Sequence, residues 1–357
     1  MGELDGVIMV FGGVLVILSL TDAFLTILHN DTDGPVIRFS FHALWKLLIG
    51  VTRIAPSTRR SLVPLAGPLM IVLAVMVWVG LFILGFSLIY WPNLNHFYLQ
   101  DSLEATFMTA LYFSGSTATV LGYGDISPVN PVLQFITFIQ AGMGFALITG
   151  IITYLISVVS GVTERNSLAL RLWAITGRTG SGAEAFIRLI PYENPDDIRR
   201  RLQNIHDLMF TVHQKMYQFP ILDLYYRSRI PVYAPELMLR YAMHVSIAAL
   251  IISADPKFKM FRVVAEDLAD VTKDMMHQIL DVHLGEEASK GLNREMPDQE
   301  DRLRLNQLRS KLESELPDLE LEGVNGNEQL PRLFAQLHRF MDEMDDFTGW
   351  RMDNVLE

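Results

Sequence analysis

The chain has 357 residues, no cysteine, a formal net charge of −11 and a mean hydropathy of +0.26, with 19% of residues charged. Such hydropathy excludes an ordinary soluble enzyme, and the missing thiols exclude a disulfide framework, a thiolate zinc site and an iron–sulfur protein. The net negative charge argues against sequence-independent nucleic-acid binding, which needs a basic face, so no nucleic-acid partner is expected.

Three stretches are nearly free of charge. Gly6–Asn30 carries only Asp22, and Ser61–Gln100 and Ile126–Thr163 carry no Lys, Arg, Asp or Glu. Each can cross a hydrocarbon core, which takes about 20 apolar helical residues. Leu65–Tyr90 alone holds 15 Leu, Ile, Val or Phe. At about −0.3 to −0.6 kcal/mol each near mid-membrane, that favours insertion by something on the order of 7 kcal/mol. The chain therefore reads as an integral membrane protein with three crossings. Its first segment is preceded by Glu3 and Asp5, unlike the basic start of a secretory signal.

The bases before residue 161 are Arg38, Lys46, Arg53, Arg59 and Arg60, all between the first and second crossings. The positive-inside rule puts that loop in the cytoplasm, the N-terminus outside and the tail in the cytoplasm. The expected location is the cell (inner) membrane, with lipid as a partner. Within the loop, Val36–Val51 is too short and too charged to span. It reads as a helix in the inner interface, or else one packed on the tail. Asp22 is an intramembrane acid, which by default marks function. Its place about two turns from the cytoplasmic end also allows contact with water or a loop arginine.

Between the second and third crossings lies DSLEATFMTALYFSGSTATVLGYGDISP. Asp101–Thr117 reads as a short helix whose start is favoured by Asp101, Ser102 and Glu104. It is too short to cross and should be re-entrant. Thr119–Asp125 follows as non-helical backbone, tolerated at membrane depth only when buried in protein or lining water. Gly122 and Gly124 permit backbone angles closed to other residues.

Helix, pore helix, TVLGYGD and helix together resemble the pore module of the potassium-channel superfamily. The resemblance covers about residues 65–160. It implies a filter in which backbone carbonyls from Thr119, Val120, Leu121, Gly122, Tyr123 and Gly124 replace the hydration shell of K+. One chain has one loop, so a four-fold filter implies a homotetramer. Val120 stands where the family usually has threonine, which removes a hydroxyl from the innermost ion site. Leu121 stands where valine or isoleucine is usual, or is an inserted residue. Tyr112 and Phe113 fall where family pore helices carry aromatics that brace the filter. Ser116 falls where many members carry an acid paired with the residue matching Asp125, so Asp125 needs another partner or water.

Pro131–Ser160 resembles the inner helix. Gly144 falls where the family often has a hinge, although small residues also serve close helix packing. Ile148, Ile152 and Leu155 offer an apolar constriction. No crossing holds an arginine ladder, so no voltage sensor is expected.

The remaining residues carry 24 of the 29 bases and 32 of the 40 acids. Helical periods run through Ile198–Met216, Phe261–Ile279 and Leu333–Phe347. Gly285–Asp301 and Leu319–Asn327 read as polar loops, and Gly177–Gly182 as a flexible linker that lacks the lysine of a phosphate-cradling loop. His206 with His213, and Asp274 with His277, have metal-compatible spacing, although solvated histidines are commoner.

The expected fold is an all-α membrane protein: three transmembrane helices, one re-entrant pore helix with a filter, and a helical cytoplasmic domain. Residues 1–62 form the first crossing and interfacial helix, 63–161 the pore module and 162–357 a regulatory domain. The expected function is passive, selective K+ conduction, with no cofactor, no metal beyond K+ and an unknown cytoplasmic ligand. No nucleophile–base or metal motif suggests an enzyme. A non-conducting receptor or scaffold, a transporter subunit and a weakly selective cation channel are the alternatives.

Overall fold

The computed structural model describes residues 3–28, 34–55, 62–101, 103–223, 225–228, 230–321 and 328–348. Ser102, Arg59, Arg60 and part of the Leu319–Asn327 loop lie outside them, as does the side chain of Arg53. Two compact units emerge. One comprises Met1–Pro56 with Leu65–Val159, and the other Ser57–Pro64 with Ser160–Glu357.

The first unit contains α1 (Glu3–Leu28), α2 (Pro35–Ile54), α3 (Ala66–Tyr90), α4 (Phe107–Ala118) and the start of α5 (Pro131–Ile175). A short antiparallel pair, β1 (Phe97–Leu99) with β2 (Ile126–Pro128), has Leu99 opposite Ile126. Helices in lipid gain little from burying apolar area against each other, so close packing and hydrogen bonds hold them together. α1 and α3 use both. A Cβ on Gly12 would lie 2.5 Å from the Gly85 carbonyl oxygen, and one on Gly85 would lie 2.7 Å from that of Gly12. Only a glycine at each site lets the two backbones touch. Further along, the Ser19 hydroxyl donates to the Trp78 carbonyl at 2.7 Å.

Asp22 closes this bundle. It is buried, and two described groups bond its carboxylate. Oδ2 accepts from the Trp78 indole N–H at 2.8 Å, and Oδ1 accepts from the Val36 N–H at 2.7 Å. Thr26 Oγ1 receives the Gly34 N–H at 2.9 Å. The carboxylate thus satisfies a free N–H at the start of α2, where the helix dipole also favours negative charge. A Cβ on Gly34 would overlap the Asp22 carboxylate, which explains the glycine. α2 then buries Ile37, Phe41, Trp45, Leu48 and Thr52, one face at helical spacing. Its other face mixes Arg38, His42 and Lys46 with exposed Phe39 and Leu47.

The expected module end at residue 161 falls inside α5, which runs unbroken to Ile175. The second unit continues with α6 (Gly182–Leu189), α7 (Pro195–Gln218), α8 (Pro235–Ile252), α9 (Phe261–His283), α10 (Glu286–Arg294), α11 (Gln299–Glu315) and α12 (Gln329–Thr348). α8 is a fourth helix long and apolar enough to cross a membrane, where the sequence reading counted three. Its apolar window is 83% buried inside the fold, against 28–33% for the other three. A helix apolar on all sides and covered on all sides serves as a core. The predicted faces of α7 and α9 pack inward, from Ile198 to Met216 and from Phe261 to Ile279.

Two expected loops are helices or turns. Gly285–Asp301 contains α10 and the start of α11, whose Asp298 and Asp301 form a reciprocal capping box. Their polarity hid them, since only Ser289 and Leu292 of α10 are buried. Gly177–Gly182 is a tight turn rather than a free linker. A Cβ on Gly180 would meet the Tyr241 ring at 2.7 Å, and one on Gly182 would overlap the His244 backbone.

Asp22→Ala strands the Trp78 and Val36 N–H groups, each a cost of about 1–3 kcal/mol. The expected outcome is a clear fall in the melting temperature of the detergent-solubilised protein, with Asp22→Asn falling less. An unchanged melting temperature in Asp22→Ala would contradict the bracing role.

Candidate functional site

The pore loop is suspended between two anchors. The inner anchor is α4. Its start is set by Thr106, which accepts from the Thr109 N–H at 3.3 Å, while the Thr109 hydroxyl donates to the Glu104 carbonyl at 2.5 Å. The helix therefore begins six residues later than the acids suggested, and Asp101 and Glu104 precede it. At its end, the N–H groups of Thr119, Val120 and Leu121 donate back to Gly115 (3.1 Å), Thr117 (3.1 Å) and Ser116 (2.8 Å). The outer anchor is the β1–β2 pair, extended by the Gln100 N–H donating to the Asp125 carbonyl at 3.1 Å.

Between the anchors, left-handed residues recur at every second position. Thr119 has φ −88°, while Val120, Gly122 and Gly124 have φ +60°, +57° and +82°. Leu121 and Tyr123 are not among the left-handed residues. Left-handed residues at every second position keep the stretch out of both helix and strand pairing. Among the described residues, the carbonyls of Thr119 to Gly124 accept no hydrogen bond. Glycine takes the left-handed region freely. Val120 does not: a β-branched residue there is strained by about 1–3 kcal/mol. All six residues are exposed in the single chain, Val120 and Leu121 at 58% and Tyr123 at 65%.

Tyr112, Tyr123 and Asp125 come together. The Tyr112 hydroxyl donates to Asp125 Oδ2 at 2.8 Å, and its ring stacks on Tyr123 with centroids 6.2 Å apart. Asp125 thus has the partner that Ser116 does not supply; the Ser116 hydroxyl donates to the Phe113 carbonyl instead. Phe113 is buried edge-on to Tyr90 and Phe97, at 5.2 and 5.1 Å.

A polar relay escaped the sequence reading. Tyr90 on α3 donates to Gln140 Oε1 at 2.8 Å. Gln140 on α5 donates to the carbonyl and hydroxyl oxygens of Ser114 at 3.0 and 2.8 Å, and the Ser114 hydroxyl donates to the Ile83 carbonyl at 2.8 Å. All three side chains are buried. The relay pins α4 to both neighbouring helices. A glutamine in a charge-free apolar segment was the available signal, since a buried amide needs partners.

Residues 71–161 match a protein-family model described as "Ion channel". The chain carries a pore module of the potassium-channel superfamily. A curated relative, the uncharacterized membrane protein YdjJ of Bacillus subtilis (strain 168), is 33% identical over 160 residues. That match covers 44% of this chain and 46% of the relative, so the chain spans under half of that relative's length. No solved structure matches.

In the pore module, Gly144 sits in unbroken helix. A Cβ there would lie 2.6 Å from the Ala118 carbonyl oxygen, so this glycine lets α5 touch the end of α4. Gly144, Leu147, Ile151, Tyr154 and Val158 form the buried face of α5. Directly opposite lie Gly142, Thr149, Thr153 and Ser160, all exposed in the single chain. The Thr149 and Thr153 hydroxyls donate to the Phe145 and Thr149 carbonyls at 2.8 and 3.0 Å. Ile148, Ile152 and Leu155 lie on a flank rather than on this opposite face.

Beyond the membrane segment, α5 enters a buried charge cluster. A Cβ on Gly161 would lie 2.5 Å from Leu222 Cδ1. Arg165, fully buried, donates to the Leu222 carbonyl and, at 2.6 Å, to the Tyr226 carbonyl. Asp223 beside it is buried with neither carboxylate oxygen hydrogen-bonded, and its Oδ2 is 3.7 Å from His283 Nε2. Arg227 and Glu236 form a buried pair nearby. Burial pushes the Asp223 carboxyl above the usual carboxylate range, opposed by His283, Arg165 and His213. Among the described residues no group of three or more metal-ligating side chains occurs. His206 instead contacts Asp207 at 3.2 Å, and His277 bonds Ser289 and Asn293 at 2.8 and 3.1 Å.

Tyr112→Phe removes the hydroxyl that holds Asp125. The expected outcome is loss of about 1.5–3 kcal/mol of local stability, the worth of a hydrogen bond to a charged group, read as faster amide exchange at residues 121–125. For Asp223 the sign follows from linkage. A raised native pKa means the native state holds the proton more tightly than the unfolded state. Stability from this group falls as pH rises from the ordinary carboxylate value, about 3.9, through the raised one. Asp223→Asn should gain stability relative to wild type as pH rises through that window; a difference flat with pH would show the carboxyl ionised throughout.

Proposed function

We propose that the chain is a potassium-selective channel that conducts K+ passively through a homotetrameric filter. The observation that carries this reading is the recurrence of left-handed residues at Val120, Gly122 and Gly124, together with carbonyls from Thr119 to Gly124 that accept no hydrogen bond among the described residues. Carbonyls without partners at membrane depth must face water or an ion. A ring of such oxygens substitutes for a hydration shell.

The same geometry supports tetrameric assembly. One loop cannot enclose an ion, and exposed Val120, Leu121 and Tyr123 require cover. Four copies around an axis supply it. The face of α5 bearing Thr149, Thr153 and Ser160 then lines the inner cavity, because hydroxyls in a membrane helix favour protein or water over lipid. Rings of Asp125, Asp101 and Glu104 concentrate cations at the outer mouth.

On this reading residues 1–62, 63–161 and 162–357 act as anchor, pore and regulatory domain. The cell membrane is the location, with the N-terminus outside and the C-terminal domain cytoplasmic. Gly144 is the position for a gating bend. Movement there also shifts the Ala118 carbonyl, so gate and filter are mechanically linked.

Purified protein in liposomes should pass K+ in strong preference to Na+. Gly122→Ala places a side chain on a left-handed residue of the filter in all four subunits and should abolish selective flux. Selective conduction persisting in Gly122→Ala would overturn the filter assignment. Absence of flux from folded wild-type tetramer, retained after deletion of the tail, would favour a non-conducting scaffold.

A further inference from the structure

The second unit holds a cavity of about 410 Å3 against the last turns of α5. Its polar rim is Arg171 from α5, Arg188 from α6, and Arg201 with Asn204 from α7; Ile175 and Leu208 are part of an apolar floor. Arg201 gives two N–H groups to Glu193 in a bidentate pair, both at 2.7 Å. Arg171 and Arg188 have no ion pair or hydrogen bond to any described residue. The nearby acids are committed elsewhere: Glu193 to Arg201, Asp197 to Arg200 and Asn194, and Glu184 to Lys311.

Two guanidinium groups without counter-ions therefore converge on one concavity that already has an amide on its rim. Gathering like charges is unfavourable unless an anion joins them. Planar guanidinium forks match the oxygens of phosphates and carboxylates, and such charge-assisted bonds are stronger than neutral ones. An inorganic ion alone would leave the apolar floor wet. The volume lies within the range of about 300–1,000 Å3 typical of small-molecule sites.

We propose that this cavity binds a small organic anion, its phosphate or carboxylate head held by Arg171 and Arg188 and its apolar body lying on Ile175 and Leu208. The proposal deepens the regulatory role given above to the C-terminal domain, and rests on that reading only for what occupancy does. Because Arg171 lies on the helix that also forms the inner pore segment, a bound anion tethers that helix to α6 and α7.

The test is calorimetry on the full chain in detergent, so a protein that failed to conduct would still give an answer. The probes are adenosine 5′-monophosphate (head and body), inorganic phosphate (head alone) and adenosine (body alone). Vesicles with and without phosphatidylglycerol distinguish a lipid headgroup from a free anion. Either the monophosphate or phosphatidylglycerol should bind, more tightly than inorganic phosphate and more weakly as salt rises. Binding should fall at least tenfold in an Arg171→Ala/Arg188→Ala variant. Arg171→Lys/Arg188→Lys, which keeps the charge, should retain part of it and guards against misfolding. Equal binding of adenosine, unchanged affinity in the alanine variant, or no binding of any anionic probe at millimolar concentration would overturn the proposal.

Discussion

A backbone carbonyl at membrane depth needs a partner, and this chain withholds partners from six in succession. Helix and sheet both satisfy carbonyls by default. Escaping them takes backbone angles neither uses, and the loop gets these from left-handed residues at Val120, Gly122 and Gly124. Two glycines make these angles cheap at Gly122 and Gly124, while Val120 adopts them at a cost. A strained segment without internal hydrogen bonds persists only when its surroundings over-determine it. The rest of the pore module can be read as those surroundings.

Restraint comes from both ends and from behind. The last carbonyls of α4 hold the N–H groups of Thr119, Val120 and Leu121, and the β1–β2 pair holds Asp125. Tyr112 grips the Asp125 carboxylate and stacks on Tyr123. Behind α4, the Tyr90–Gln140–Ser114 relay fixes it to α3 and α5. α3 in turn is fixed to α1 by the Gly12–Gly85 contact and the Asp22–Trp78 bond. In lipid, each of these is a directional or close-packed contact rather than generic apolar burial, as expected where solvent supplies no hydrophobic drive between helices. Trp78 also meets Tyr154 edge-on at 6.2 Å, so the first helix bears on the inner helix through a single intermediary.

What was legible in the sequence follows the same physics. Long charge-free runs fixed α1, α3 and α5, because the bilayer demands length and apolarity together. The periodic faces of α7 and α9 were visible because one stripe of each is buried. Gly122–Asp125 pointed to the loop. Pairings across the chain were not legible. The described partners of Asp22, a tryptophan 56 residues on and the N–H of Val36, are such pairings. The start of α4 was misplaced because acids are good helix starters in general, whereas here the threonine pair Thr106 and Thr109 supplies the cap. α8 carried no amphipathic signal because it is enclosed on every side, and α10 was hidden because it buries so little.

Several of these features lie on the single continuous helix α5. One helix carries Gln140 in the relay behind α4, Gly144 against the end of α4, and the hydroxyl face of Thr149 and Thr153. It also carries Arg165 in the buried charge cluster and Arg171 on the rim of the cavity. Arg165 cannot shift alone. It is bonded to the Leu222 and Tyr226 carbonyls, and moving it away would leave Asp223 with less compensation in a dry site. Gly144 bears on Ala118, and the carbonyls just before Ala118 position Val120 and Leu121. The strained valine thus lies at the end of a chain of direct contacts that begins at Gly144.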